Sequence, residues 1–92
     1  MKLYMGSFIY RGVLGGSIAL EENGVRYRTG KVSVEKWVRD FTLSYSDIKG
    51  VSYSRGLFKR VKFLMSDGKE YEFIVHGIGS FRRELEVRMN RL

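Results

Sequence analysis

Apolar and polar residues alternate with a period of two through most of the chain, as far as about residue 76. Such alternation predicts half-buried β-strands. The clearest case is the segment from Ser17 to Thr29, where Asn23-Gly24 separates two alternating runs. This dipeptide favours a two-residue type I′ hairpin turn. The turn predicts three cross-strand pairs, which are Ile18 with Thr29, Leu20 with Tyr27, and Glu21 with Arg26.

A second hairpin is predicted from Arg60 to Val75. A two-residue turn at Asp67-Gly68 would oppose an inward phenylalanine to an outward glutamate, so the pattern excludes it. A three-residue loop, Ser66-Asp67-Gly68, with Gly68 in a left-handed bulge position keeps both faces consistent. The predicted pairs are Val61 with Phe73, Phe63 with Tyr71, and Lys62 with Glu72 as an ion pair on the solvent face.

Three further strands follow from the same alternation. The segment from Tyr4 to Leu14 is predicted to hold the first strand, and residues 41–45 to form another. A last strand runs through Ile48, Val51 and Tyr53 after a bend at residues 46–47. Residues 30–36 are polar and are predicted to form a loop.

The period changes near the C-terminus, where a helix is predicted from about Ser80 to Asn90 with Ser80 as its N-cap. Its apolar stripe consists of Phe81, Leu85, Met89 and Leu92. The stripe favours a helix that covers one end of the sheet; a face lying on a membrane surface is the alternative. The predicted fold class is therefore mainly β with one C-terminal α-helix, in a single domain spanning residues 1–92.

Composition narrows the function classes. The 92 residues carry a formal net charge of +7 and no cysteine. The charge favours anionic partners such as nucleic acid, an acidic protein or an anionic membrane surface. The lack of cysteine excludes disulfides and thiolate metal sites. The chain has one histidine, His76, and the sequence indicates no partners with which it could form a metal site or a catalytic triad. We therefore expect no cofactor, no metal and no enzyme activity, and a cytoplasmic location, either free or at the membrane periphery, since no export signal is visible.

The most informative charged segment runs from Ile48 to Ser66, which holds five cations and no acid. Arg55, Lys59 and Arg60 are predicted to engage an anionic partner, with Arg11 as a further contributor. Leu57 and Phe58 form an apolar tip beside them. Such a tip suits insertion into an anionic lipid surface or stacking on a base, whereas a solvated charged face is the non-functional interpretation.

The order of motifs resembles the pleckstrin-homology-like superfamily, in particular its bacterial PH-like and GRAM branches. The resemblance lies in Gly16-Ser17-Ile18-Ala19-Leu20, then Gly24-Val25-Arg26-Tyr27, then Leu43, Tyr45, Asp47, Ile48 and Val51, then Asp67, Gly68, Tyr71 and Phe73, and the final helix from Phe81 to Leu92. It implies a bent, nearly closed barrel of about seven strands capped by a helix, and a scaffold that binds lipids, peptides or proteins. Residues 10–17, where lipid-binding members carry several cations, hold only Arg11.

These observations predict a non-catalytic PH-like module that binds a protein or an anionic membrane surface. One alternative is a nucleic-acid-binding domain that uses the basic hairpin at residues 55–62. Another is a homo-oligomer that assembles by strand addition at an open sheet edge.

Overall fold

The computed structural model describes residues 1–54 and 59–91. Seven strands and one long helix account for most of them, as the alternating pattern predicts. A short helix and a single 3₁₀ turn at Tyr45–Asp47 interrupt the strands. The elements are β1 Lys2–Ile9, β2 Val13–Leu20, β3 Gly24–Arg28, α1 Lys36–Arg39, β4 Asp40–Ser44, β5 Ile48–Ser54, β6 Arg60–Met65, β7 Glu70–Val75 and α2 Ile78–Met89.

All seven strands belong to one antiparallel sheet in the order β4-β3-β2-β1-β7-β6-β5. The predicted class, an antiparallel sheet with one C-terminal helix, is confirmed. The sheet is open, however, and is not closed into a barrel: among the described residues it ends at β4 on one side and at β5 on the other. The two end strands follow each other in the chain and are joined through the 3₁₀ turn.

The sheet is strongly bent. β4 and β7 are four strand positions apart, which would separate them by about 19 Å in a flat sheet. The ring of Phe41 in β4 nevertheless lies 5.6 Å from that of Tyr71 and 6.3 Å from that of Phe73 in β7, measured between centroids. The inner faces of the two halves therefore meet and enclose one core.

The β6–β7 hairpin matches its prediction. Val61 pairs with Phe73, and Phe63 with Tyr71. Gly68 has a φ of 89°, the left-handed conformation that the three-residue loop requires. Lys62 lies opposite Glu72 as predicted, but the Glu72 carboxylate contacts Arg60 at 3.8 Å.

The register of the β2–β3 hairpin differs from the predicted register by two residues. Ile18 pairs with Tyr27 and Leu20 with Val25, and Glu21 N–H donates to the Gly24 carbonyl across a turn at Glu22 and Asn23. Gly24, which the structure describes, does not have the positive φ of a type I′ turn. The glycine is needed for close packing: a Cβ there would meet the Leu43 carbonyl oxygen and lie 2.9 Å from Thr42 Cγ2 of β4.

Two other boundaries differ from the sequence predictions. The segment from Tyr4 to Leu14 spans two strands, because Arg11 (φ 51°) and Gly12 (φ 117°) form a turn between them. α1 lies between the predicted loop at residues 30–36 and the predicted strand at residues 41–45, where no helix was predicted, since a four-residue helix carries too little periodicity to be recognised. Its Arg39 donates to the carbonyls of Val32 and Val34 and so holds the preceding loop.

α2 begins at Ile78, directly after Gly77 with a φ of 81°. Ser80 is therefore not the N-cap; its hydroxyl bonds to that of Tyr4 at 3.1 Å. Phe81 and Leu85 are buried in the core as predicted, and Met89 packs against it. Leu92, the last member of the predicted stripe, lies outside the described residues. No helix in the described part of the chain is both long enough and apolar enough to cross a membrane.

Candidate functional site

The predicted anion-binding residues lie in two different places. Lys59 is exposed immediately before β6, and Arg60 is the first residue of that strand. Arg60 contacts Glu72 at 3.8 Å on the outward face of the sheet. Arg55 and the apolar tip residues Leu57 and Phe58 lie outside the described residues.

Arg11 is remote from Arg60. The pairing of Phe8 with Phe73 and of Phe73 with Val61 places Phe8 level with Val61, the neighbour of Arg60. Arg11 lies in the turn beyond the end of β1, further along the sheet from Arg60. Arg11 lies over the ring of Tyr10 at 5.2 Å and forms an ion pair with Glu35 at 3.3 Å. It therefore belongs to a separate surface from Lys59 and Arg60.

Glu35 organises that second surface. Its carboxylate accepts a hydrogen bond from the Tyr10 hydroxyl at 2.7 Å and one from Trp37 Nε1 at 2.9 Å. The Tyr10 bond is the main reason why the pKa of Glu35 lies below its usual value, and the Trp37 bond adds to it. These contacts tie the loop before α1 to the β1–β2 turn, which is a structural role.

A groove of about 600 Å³ lies between the end strand β5 and α2. Apolar side chains from both elements line it, and polar or charged groups lie among them. The apolar residues are Val51, Tyr53, Ile78, Leu85 and Met89; the charged and amide residues are Lys59, Arg82, Glu86 and Asn90. A cleft that combines apolar side chains with a few polar groups that fix orientation is the usual form of a binding site.

Arg82 is held in one orientation at the wall of this groove. Its guanidinium lies 4.7 Å from the centroid of the Tyr53 ring, and its Nε donates to the Glu86 carboxylate at 3.2 Å. Burial raises the pKa of Tyr53, and the charge of Arg82 opposes that rise. The phenol is therefore neutral near pH 7 and can act as a hydrogen-bond donor, beside a cation that is already ordered.

The edge of β5 changes in character along its length. Lys49 and a register shift between Ile48 and Gly50 mark its first half. A charge and an irregular pairing both discourage the addition of another strand. From Gly50 to Ser54 the pairing with β6 is regular and the residues carry no charge. This second half is also the part that borders the groove.

Lys59 and Arg60 as contacts for an anionic partner stay a prediction, and sequence reasoning missed the groove. The helical stripe correctly indicated that Phe81 and Leu85 face the core, but it gave Arg82 and Glu86 no role. Their role depends on which strand lies beside α2, and strand order cannot be read from alternation alone. The charged face next to the stripe was the only signal present.

No family model matches the chain, and no curated protein matches it significantly.

Proposed function

We propose that this chain is a non-catalytic binding module that captures an extended segment of another protein by strand addition at β5. The observation that carries the proposal is the coincidence of a regular, uncharged strand edge with a groove of about 600 Å³. An edge strand offers unpaired N–H and C=O groups, and pockets beside it select alternate side chains of the added strand.

The groove has the dimensions for such a segment. The regular half of β5, from Gly50 to Ser54, is five residues long and extends about 17 Å. Side chains of an added strand alternate between its two faces. One set would enter the groove between β5 and α2, where Ile78 and Met89 provide apolar contact.

Membership of the PH-like superfamily remains part of the proposal. It is supported by the ordered motifs in the sequence and by the combination of seven antiparallel strands with one C-terminal helix. The membrane and nucleic-acid alternatives depend on Arg55, Leu57 and Phe58, which lie outside the described residues, so they stay sequence predictions.

A neutral peptide tests strand addition without any contribution from charge. The probe is a seven-residue peptide of alternating valine and threonine with both termini blocked. We expect it to shift the amide NMR signals of Val51–Ser54 and of the groove face of α2, and to slow hydrogen exchange in β5.

A variant that fills the groove provides the matched comparison. Gly79 lines the groove and lies at helical spacing from Arg82 and Glu86, so Gly79→Leu places a side chain on the same face. A Cβ there meets only Arg83 Nη1, at 3.6 Å, which is an ordinary contact. The control is Gly30→Leu, where a Cβ meets nothing within 4 Å. Strand addition predicts loss of the shifts in the first variant alone; equal shifts in both variants, or none in the parent chain, would contradict it.

A further inference from the structure

The two faces of the β5 edge differ in charge. Ser52 and Ser54 point outward and are exposed, and they pair with Lys62 and Arg60 of β6. On the inward face Val51 and Tyr53 contribute to the groove. The outward face of β5 therefore carries two serines beside two cations of β6, whereas its inward face carries Val51 and Tyr53.

The serines leave the two cations accessible from the edge. A cleft of about 250 Å³ on this face is bounded by Ser52, Ser54, Arg60, Lys62 and Glu72. Glu72 contacts Arg60 from the β7 side at 3.8 Å, so one acid faces two cations. A strand added to β5 would lie about 10 Å from β6. A long side chain of the added strand and a long side chain of β6 can span this separation, because β5 between them carries only serine on this face.

We infer that the β5 edge selects a strand in which acidic and apolar residues alternate. The acidic side chains lie over Ser52 and Ser54 towards Lys62 and Arg60, and the apolar side chains enter the groove. This inference rests on the proposed strand addition and adds the chemistry of the partner. It follows from charge complementarity on one face combined with apolar lining on the other.

Three blocked seven-residue peptides test the selection. Valine alternates with glutamate in the first, with lysine in the second and with threonine in the third. We expect the glutamate peptide to bind about tenfold more tightly than the lysine peptide at low salt, with the threonine peptide between them. The difference should shrink at high ionic strength, because these pairs are partly exposed to solvent. A peptide with the glutamate composition but with its residues in two blocks should bind more weakly, since it cannot place the two residue types on opposite faces.

Reversing the charges of Arg60 and Lys62 tests whether these two residues cause the preference for the acidic peptide. The double variant R60E/K62E should reverse the preference so that the lysine peptide binds more tightly. The control K31E/K36E changes the net charge by the same four units but lies in the loop and short helix before β4. It should keep the parent preference. Circular dichroism and the denaturant midpoint confirm that both variants are folded.

The outcomes separate the two proposals. If all three alternating peptides protect β5 equally, strand addition holds and the acidic preference is wrong. If none alters β5, both are wrong. If the control reverses the preference as the test variant does, the effect is one of net charge and the assignment to Arg60 and Lys62 fails. If the chain instead self-associates through β5 and the glutamate peptide does not dissociate it, the occupant is a second copy and the inference is overturned.

Discussion

β4 and β5 are the two ends of one sheet, but they carry different side chains where an approaching strand would make contact. β4 begins with Asp40, which accepts hydrogen bonds from Arg26 at 2.8 and 2.7 Å and lies 3.6 Å from Arg28. β5 is uncharged from Gly50 to Ser54 and borders the groove. Charged side chains are a common means of protecting an edge strand. The comparison teaches that two open edges of one sheet can differ in their suitability for an added strand, because the side chains on and beside them differ.

The packing of α2, which forms one side of the β5 groove, should be the feature of the molecule most sensitive to substitution. Phe81 is fully buried and packs edge-on against Tyr4 with 5.3 Å between ring centroids, so it anchors α2 to the sheet. We expect Phe81→Ala to lower the free energy of unfolding by about 3–5 kcal/mol, because it leaves a cavity between helix and sheet. Chemical denaturation measures the loss.

The control lies on the same helix. Val87 is exposed, and Val87→Ala should change the free energy of unfolding by about 0.5 kcal/mol or less. Because Phe81→Ala loosens α2, peptide binding at β5 should fall in that variant while the β4 contacts of Arg26 persist. Equal denaturant midpoints for the two variants would show that α2 is not docked through Phe81.

One substitution applied at each end of the sheet should sharpen the comparison. Gly24 of β3 lies against β4, where a Cβ would meet the Leu43 carbonyl and Thr42 Cγ2. At Gly50 of β5 the nearest atom to a Cβ is Leu64 Cβ at 3.9 Å. We expect Gly24→Ala to cost about 1–3 kcal/mol through forced displacement of β4.

Gly50→Ala should be neutral or stabilising by up to about 1 kcal/mol, because alanine restricts the unfolded chain more than glycine does. Thermal or denaturant unfolding of the two variants side by side decides the point. A larger loss at Gly50 than at Gly24 would mean that β5, not β4, is the tightly packed end.

The two hairpins show how far the sequence predicts this fold. In the β6–β7 hairpin only one short loop length pairs inward-facing residues with inward-facing residues. The alternation of apolar and polar residues was therefore enough to predict the correct register. In β2–β3 the observed register differs from the predicted one by two residues, and such a shift keeps every side chain on the same face. Alternation cannot distinguish the two, and Gly24 was assigned to a turn when it serves contact with β4. The groove was unpredictable for a related reason, because it depends on the order of strands and not on their existence.

The smallest expected effect concerns acid sensitivity at the β4 end. The hydrogen bonds from Arg26 hold the pKa of Asp40 below its usual value. A carboxyl whose folded-state pKa is depressed stabilises the fold above its unfolded pKa of about 3.9, and this contribution is lost as the pH falls through the folded value.

Asp40→Asn should therefore lower the denaturant midpoint slightly near pH 6, and the difference in midpoint from the parent chain should disappear as the pH is lowered past 3.9. The effect is small because these side chains are partly exposed and screened by solvent. β5 carries no acid from Ile48 to Ser54, so Asp40→Asn should shift amide NMR signals near Arg26 and Thr42 and leave those of Val51–Ser54 unchanged. If the gap between parent and variant stayed constant from pH 6 down to the acid limit, the pair of Asp40 and Arg26 would contribute nothing to the β4 edge, and the contrast between the two ends would rest on the groove alone.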